Sequence, residues 1–268
     1  LRSEIKPAIS ASRENHANHR LDFRIVAETE EYAVVDKPPF LLVHPTKPDG
    51  PRTLWDELRK LFAFEIANGG QVSIVNRLDR ETSGLVLIAK TSDAARKFGL
   101  LMQQQRIAKE YLAVVWGWPE WQATVVDAPL ARQGAHGASP IHLKQAIHPA
   151  GLEAKTELRV ERRFERETTA GGRFSVIRAI PLTGRTHQIR LHLAARGHPL
   201  VGDKIYGPDE RWYLRFIETG WTAQLEHGLL LPRHALHANR LRIDGVGDWQ
   251  IPLAPDLQEW IGASAATT

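Results

Sequence analysis

The sequence predicts an α+β fold built on a mostly antiparallel sheet, and three observations carry that expectation. Stretches with strand character outnumber amphipathic ones. The helical stretches are scattered and do not alternate regularly with the strands, as a doubly wound parallel sheet would require. The chain is also long and apolar enough for a large core. It has 268 residues, 43% hydrophobic and 20 of them glycine, so it can bury about three quarters of its unfolded surface.

Along the chain, polar, unpatterned residues 1–22 read as a flexible arm. Residues 23–27 and 32–36 form two strands around a polar turn, and Lys37-Pro38-Pro39 ends the second, because proline cannot donate to a ladder. Residues 53–67 are the clearest helix. Leu54, Trp55, Leu58, Leu61, Phe62 and Ile66 recur at helical spacing, Thr53 can cap the start, and Asn68-Gly69-Gly70 stops it. Buried strands follow at 72–75 and 85–89, flanking a charged loop. A second helix covers 92–103, with strands at 111–116 and 125–126. Residues 133–140, rich in Gly and Ala, are the loop nearest the halfway point. Strands resume at 154–160, 174–182 and 236–243, with a helix at 186–196 that Thr186 caps and Gly197 closes. A tail is expected over 263–268, leaving 23–262 as one domain.

Composition excludes several chemistries. Without cysteine there is no disulfide, thiolate nucleophile, zinc ribbon or iron–sulfur cluster, and a reducing, cytoplasmic setting fits. No apolar run approaches a membrane span of roughly 18 residues, so no membrane partner is expected. The first ten residues carry Glu4 and Lys6 and no hydrophobic stretch, unlike a signal peptide. The formal charge is only +4, but the 35 basic residues are 25 Arg and 10 Lys. Arginine suits planar contacts to phosphate or carboxylate. Residues 158–178 hold six arginines against three glutamates. That segment reads equally as a face for a polyanion or as a salt-bridged, solvated one.

Twelve histidines raise the question of a metal, but none has the spacing of a zinc site. His187 and His192 are five apart, and His234 and His237 fall in an expected strand on opposite faces. There is no G-x-S-x-G elbow, no phosphate-binding P-loop and no G-x-G-x-x-G. Two polar constellations remain. The first, Asn76-Arg77-Leu78-Asp79-Arg80-Glu81-Thr82-Ser83-Gly84, is a charged loop between buried strands, where charges must be paired or functional. Its bland reading is an Asx turn, with Asp79 accepting backbone hydrogen bonds from Thr82 or Ser83. The second runs from Thr183 to Leu193. Arg185, His187 and Arg190 at a helix start make a natural anion site there, His187 and Arg190 sharing a face while Ile189 and Leu193 face the core.

Arg77-Leu78-Asp79 with Thr82-Ser83-Gly84 resembles the R-L-D-x-x-T-S-G signature of the RluA-type RNA pseudouridine synthases. Further stretches agree in order: Val35-Asp36-Lys37-Pro38-Pro39 with His44-Pro45, then Lys109-Glu110-Tyr111 through Gly117. Gly184-Arg185-Thr186-His187-Gln188-Ile189-Arg190-Leu191-His192 follows, with Gly197 through Asp203 and Tyr206-Gly207, and finally Leu236-His237-Ala238. The likeness spans about residues 25–253. Two departures are visible: Asn76 stands where the family usually has His, and the leading residues are too few for an S4-type RNA-binding domain.

The resemblance implies a pseudouridine synthase core, a mixed, largely antiparallel sheet flanked by helices, with its active-site cleft between two halves. It implies Asp79 as catalytic aspartate, Tyr111 as active-site tyrosine and Arg190 as the arginine pairing with the aspartate. Arg77, Arg185, His187 and Lys37 are the expected RNA contacts, with Arg77 filling the gap left by the flipped base or holding phosphate. The reaction, uridine to pseudouridine in ribosomal or transfer RNA, is redox-neutral, so no metal or organic cofactor is implied. The chain is expected to act as a monomer. Two other readings stay open: an RNA-binding module that has lost catalysis, and a two-carboxylate hydrolase with Glu81 or Asp203 as second acid.

Overall fold

The computed structural model describes residues 23–47 and 49–262; the arm expected over 1–22 and the tail over 263–268 lie outside the described residues. β1 (Arg24–Glu28) and β2 (Tyr32–Lys37) form the opening hairpin. α1 (Leu54–Leu61) and α2 (Ala63–Ala67) share the stretch expected as one helix. Phe62 leaves helical geometry between them as its ring turns into the core, 2% exposed. Thr53 caps α1 in a capping box: its hydroxyl accepts from the Asp56 N–H, and the Asp56 carboxylate accepts from the Thr53 N–H.

β3 (Ser73–Ile74) is short, whereas β4 (Ser83–Ala89) begins two residues earlier than its apolar run. α3 (Ser92–Gln103) is capped by Thr91, and β5 (Ile107–Trp116) and β6 (Ala123–Asp127) extend past their expected ends. β7 (Leu130–Arg132) and β8 (Gln145–Ile147) form a separate hairpin that brackets the expected loop. β9 (Lys155–Glu165) and β10 (Arg173–Pro181) lead to α4 (Gln188–Ala195). α5 (Arg211–Thr219) and α6 (Ala223–Leu229) follow in a stretch where the sequence reading placed nothing. β11 (Leu236–Ile243), β12 (Gly247–Gln250) and α7 (Pro255–Trp260) complete the order.

The sheet has ten strands in the path β1-β2-β4-β11-β5-β10-β9-β6, with β3 on β4 and β12 on β11. Every pairing within it is antiparallel except β4 with β11. The fold is therefore α+β with a mixed, mostly antiparallel sheet. α1 and α4 cover one face, packing Leu54, Leu58, Ile189 and Leu193 on Val86, Tyr111 and Ala113. The other face carries Phe98 of α3 on Leu85 and Leu87, and Leu257 and Trp260 of α7 on Val114 and Phe174. Each fully buried leucine or phenylalanine stabilises the fold by about 1.5–3 kcal/mol.

The parallel contact places His237 and Ala238 beside Ser83 and Gly84. A Cβ on Gly84 would lie 2.2 Å from the Ala238 carbonyl oxygen, and its φ is +112°, so only glycine fits this seam. The two histidines expected on opposite faces of one strand are placed differently. His234 precedes β11, and both rings meet the same segment: His234 Nε2 lies 2.7 Å from Thr82 Oγ1, and His237 Nδ1 lies 2.9 Å from Ser83 Oγ.

Much of the arginine-rich segment serves the fold. Arg178 joins Glu110 (2.6 Å) and Glu161 (2.8 Å), while Arg240 joins Glu110 (3.3 Å) and Asp248 (2.6 Å). Those five residues form a charge ladder across β9, β10, β5, β11 and β12. Arg163 donates to the carbonyls of Pro119 (2.8 Å) and Trp121 (3.1 Å). Among the described residues no helix is long and apolar enough to cross a membrane.

Candidate active site

The loop from β3 to β4 is pinned before it reaches Asp79. Asn76 is buried; its Oδ1 accepts from the Leu87 N–H (2.8 Å) and its Nδ2 donates to the Leu85 carbonyl (3.2 Å). The side chain thus replaces a rung of the ladder, which a turn between two strands would otherwise leave unpaired. Leu78 anchors in the core. The following turn is closed by backbone, with the Thr82 N–H donating to the Asp79 carbonyl at 3.1 Å. The Asx turn expected as the bland reading is absent, because the Thr82 N–H is taken by the Asp79 main-chain carbonyl and not by its carboxylate. The Asp79 carboxylate is left to face the cleft, its side chain 30% exposed.

One oxygen of that carboxylate is held. Arg190 Nη1 lies 2.9 Å from Asp79 Oδ2, and His187 Nε2 lies 3.9 Å from the same atom. Oδ1 has no hydrogen-bond partner among the described residues. Arg190 stands in the first turn of α4 with its side chain 6% exposed. Its Nε and Nη2 grip Asp203 Oδ2 (2.7 Å) and Oδ1 (2.9 Å), and Asp203 Oδ1 also accepts from the N–H groups of Ile205 and Tyr206. The Tyr206 ring lies 5.1 Å from the guanidinium carbon. Burial alone would raise the carboxyl pKa values of both aspartates. The Arg190 charge and its hydrogen bonds outweigh burial and hold both below the usual carboxylate range.

Tyr111 lies on β5 between Ala179 of β10 and Ala238 of β11, whose small side chains leave room for the ring. It is 8% exposed. Burial, then the Asp79 charge, pushes its phenol above the ordinary value, so it stays protonated at neutral pH. His187 is the N-cap of α4 with φ +58°, in the left-handed region. Thr186 therefore does not cap this helix, which starts two residues later than expected. Burial, then the neighbouring Arg190 charge, lowers the imidazole to about 4, so it is neutral.

The expected RNA contacts separate. Lys37 is fully buried, its ammonium donating to the carbonyls of Pro38 (2.7 Å), Leu41 (2.9 Å) and Arg80 (3.3 Å). It braces the strand end against the active-site loop and does not line the cleft; burial, then the Arg233 charge, lowers it to about 7. Arg77 is exposed, close enough for its charge to lower the pKa of His44, on which burial acts more strongly. Arg185 is exposed and donates Nε to the Glu153 carbonyl at 2.9 Å. The anion site expected at the start of α4 is largely closed, since Arg190 already bridges two carboxylates and His187 is neutral. Asp79, Tyr111, Arg190 and His187 come together; Arg77 and Arg185 lie at the surface.

A supporting layer escaped the sequence reading. Glu81 accepts from Lys204 Nζ (2.8 Å) and from the His234 N–H (3.1 Å). Those partners outweigh its burial and hold it at about 2. Fully buried Arg233 grips Asp256 (2.7 and 2.9 Å) and donates to the carbonyls of Glu81 and Leu236 (3.3 Å each). These contacts fix the Asp79 turn to the entry of β11. Glu81 and Asp203 had been open as a second acid, but both are held ionised and neither can supply a proton near neutrality. Among the described residues no group of three or more His, Asp or Glu side chains could hold a metal ion. The arrangement is one fixed carboxylate with a free oxygen, beside a neutral phenol and a neutral imidazole. It can stabilise or attack an electron-poor carbon.

Residues 31–195 match the family model described as RNA pseudouridylate synthase. The ribosomal large subunit pseudouridine synthase D of Nitrosomonas europaea is 33% identical over 261 residues, covering 93% of this chain and 68% of that protein. Its counterpart in Pseudomonas aeruginosa is 35% identical over 241 residues, covering 88% and 70%. Among solved structures, human RNA pseudouridylate synthase domain containing 1 superposes with a TM-score of 0.64 at 26% identity, covering 95% of this chain and 89% of that one. Human RNA pseudouridylate synthase domain containing 4 shares the fold, with a TM-score of 0.66 at 22% identity over 87% and 89%.

Proposed function

The chain belongs to the RNA pseudouridylate synthase family, and from that premise we propose that it isomerises uridines of ribosomal RNA to pseudouridine, with Asp79 as the group that meets C1′. The observation that carries this reading is the Asp79 carboxylate, ionised by the Arg190 bond at 2.9 Å and open at Oδ1. Breaking the C1′–N1 bond builds positive charge at C1′. A carboxylate stabilises that charge or captures it covalently, as in glycoside cleavage. Direct attack at C1′ and a glycal-type route, in which C2′ loses a proton, both draw on this carboxylate. The freed uracil turns over, C5 bonds to C1′, the hydrogen on C5 leaves as a proton, and N1 takes one up, so that the product is an isomer of the substrate.

Tyr111 supplies an aromatic face for the uracil and a hydroxyl near C5. The target base has to leave its stack to reach this cleft. Arg77 and Arg185, both at the surface, serve as phosphate contacts or fill the space that the base vacates. Ribosomal RNA is named as substrate because the relatives at 33–35% identity bear that substrate in their names.

The test is tritium release from transcripts labelled at uridine C5, comparing the wild type with Asp79→Asn. Large-subunit ribosomal RNA and transfer RNA are assayed separately. Release by the wild type from ribosomal RNA, falling at least about 10³-fold in the variant, is expected. Release from transfer RNA alone moves the substrate assignment. Free uracil among the products points to a hydrolase, and tight binding with no release points to an inactive RNA-binding module.

A further inference from the structure

His187 stands beside the catalytic carboxylate without bonding to it. Nε2 is 3.9 Å from Asp79 Oδ2, too long for a hydrogen bond, and the ring is held there from its other nitrogen. Nδ1 lies 2.9 Å from the Tyr206 hydroxyl, which accepts the backbone N–H of Gln145 at 2.8 Å. Because Gln145 donates to the phenol oxygen, the hydrogen of the Tyr206 hydroxyl is free to point at Nδ1. Nδ1 is then the acceptor, and the single imidazole hydrogen sits on Nε2, facing the cleft. The backbone supports the same placement. His187 adopts φ +58° at the N-cap of α4, a conformation uncommon outside glycine that tends to cluster at functional sites.

We propose that His187 is a catalytic residue of the isomerisation, donating Nε2–H to O2 of the uracil while the C1′–N1 bond breaks. The proposal rests on the uridine reaction inferred above. In that step the bonding electron pair leaves C1′ with the base and spreads over N1, O2 and O4 of the uracil anion, so O2 gains negative charge as the bond lengthens. O2 is three bonds from C1′. A donor on the Oδ2 flank of the aspartate, with Oδ1 turned to C1′, is placed to meet it. The imidazole keeps its proton; it lends a hydrogen bond, so no proton or electron is left unassigned. Its low pKa, near 4, suits the role, because a neutral imidazole adds a donor without adding a second cation beside Arg190. Tyr206 acts through His187 and is a positioning residue.

The experiment measures single-turnover tritium release and RNA affinity on C5-tritiated large-subunit ribosomal RNA transcripts. These carry uridine, 2-thiouridine or 4-thiouridine throughout. Sulfur accepts hydrogen bonds poorly, so the 2-thio transcript weakens the contact at O2, and the 4-thio transcript controls for altered RNA folding. For the wild type, slower release from the 2-thio than from the 4-thio transcript is expected. His187→Ala should lower release from the uridine transcript about 10²-fold, keep its RNA affinity, and lose the distinction between the two thio transcripts. His187→Gln, which retains an N–H donor, should recover part of the rate. Tyr206→Phe keeps the imidazole but frees its tautomer, and covers the case in which His187→Ala does not fold. It should slow release about tenfold and blunt the 2-thio effect. If the variants keep the wild-type ratio between thio transcripts, or lose only RNA affinity, the proposal is overturned while the uridine reaction stands. If the wild type releases no tritium from any transcript, both fall together.

Discussion

Arg190 places one positive charge between the partly exposed Asp79 carboxylate and the buried Asp203 carboxylate, and buried histidines beside Arg190 and beside Arg233 are held neutral. Burial, then a nearby guanidinium, lowers His187 and His237 to about 4, against an ordinary value of 6.5. Between those limits the unfolded chain binds more protons than the folded one, so stability falls as the pH drops from 6.5 toward 4. Glu81, lowered from 4.5 to about 2, continues the loss at lower pH. Urea unfolding at about pH 7, 5.5 and 4.5 should show the free energy decreasing at each step by an amount that reaches a few kcal/mol. A level profile over that range would contradict the buried neutral histidines. Motif resemblance brought Asp79, Tyr111, Arg190 and His187 to notice. It could not show that Asp203 grips Arg190, or that Tyr206 holds His187, because both contacts depend on how the 202–207 turn folds back on α4. Lys37 misled for a related reason. A lysine beside two prolines looks exposed in sequence, yet three carbonyls converge on it inside the fold.

The outer surface of the sheet is held by charge, with Glu110 at the centre of the ladder, between Arg178 and Arg240. Its members are partly exposed, so the pairs are screened by salt and individually weak. Glu110→Gln should lower the urea midpoint slightly in dilute buffer, with the difference vanishing in molar salt and tritium release unchanged. A loss that persists in high salt would mean that packing, not charge, sets the cost. Elements with strong local signals were legible at this scale. α3 and β11 fall on their expected residues, and the capped start of α1 is where Thr53 put it. α5 and α6 were passed over although Thr222 caps α6 through the Leu225 N–H, because aromatic and charged residues are mixed along 207–230 without a clean stripe. β4 begins at Ser83 because a distant strand pairs with it, which no local pattern encodes.

Across the whole molecule, the strand path sets β11 between β4 and β5, so the last long strand joins two parts of the sheet made much earlier. Asp79 precedes one side of that seam and Tyr111 lies on the other. Refolding from urea should therefore restore tryptophan fluorescence before activity, with tritium release returning only in the slowest phase. Activity regained in the fastest phase would show that the cleft forms without β11. Ser83 and His237 meet across 154 positions of chain, and contacts of such high order form late. During synthesis, at about 5–20 residues per second, the Asp79 loop leaves the ribosome well before the strand that fixes it. The nascent chain thus carries the Asp79 loop without its partner strand, and the cleft is completed only after β11 has cleared the exit tunnel.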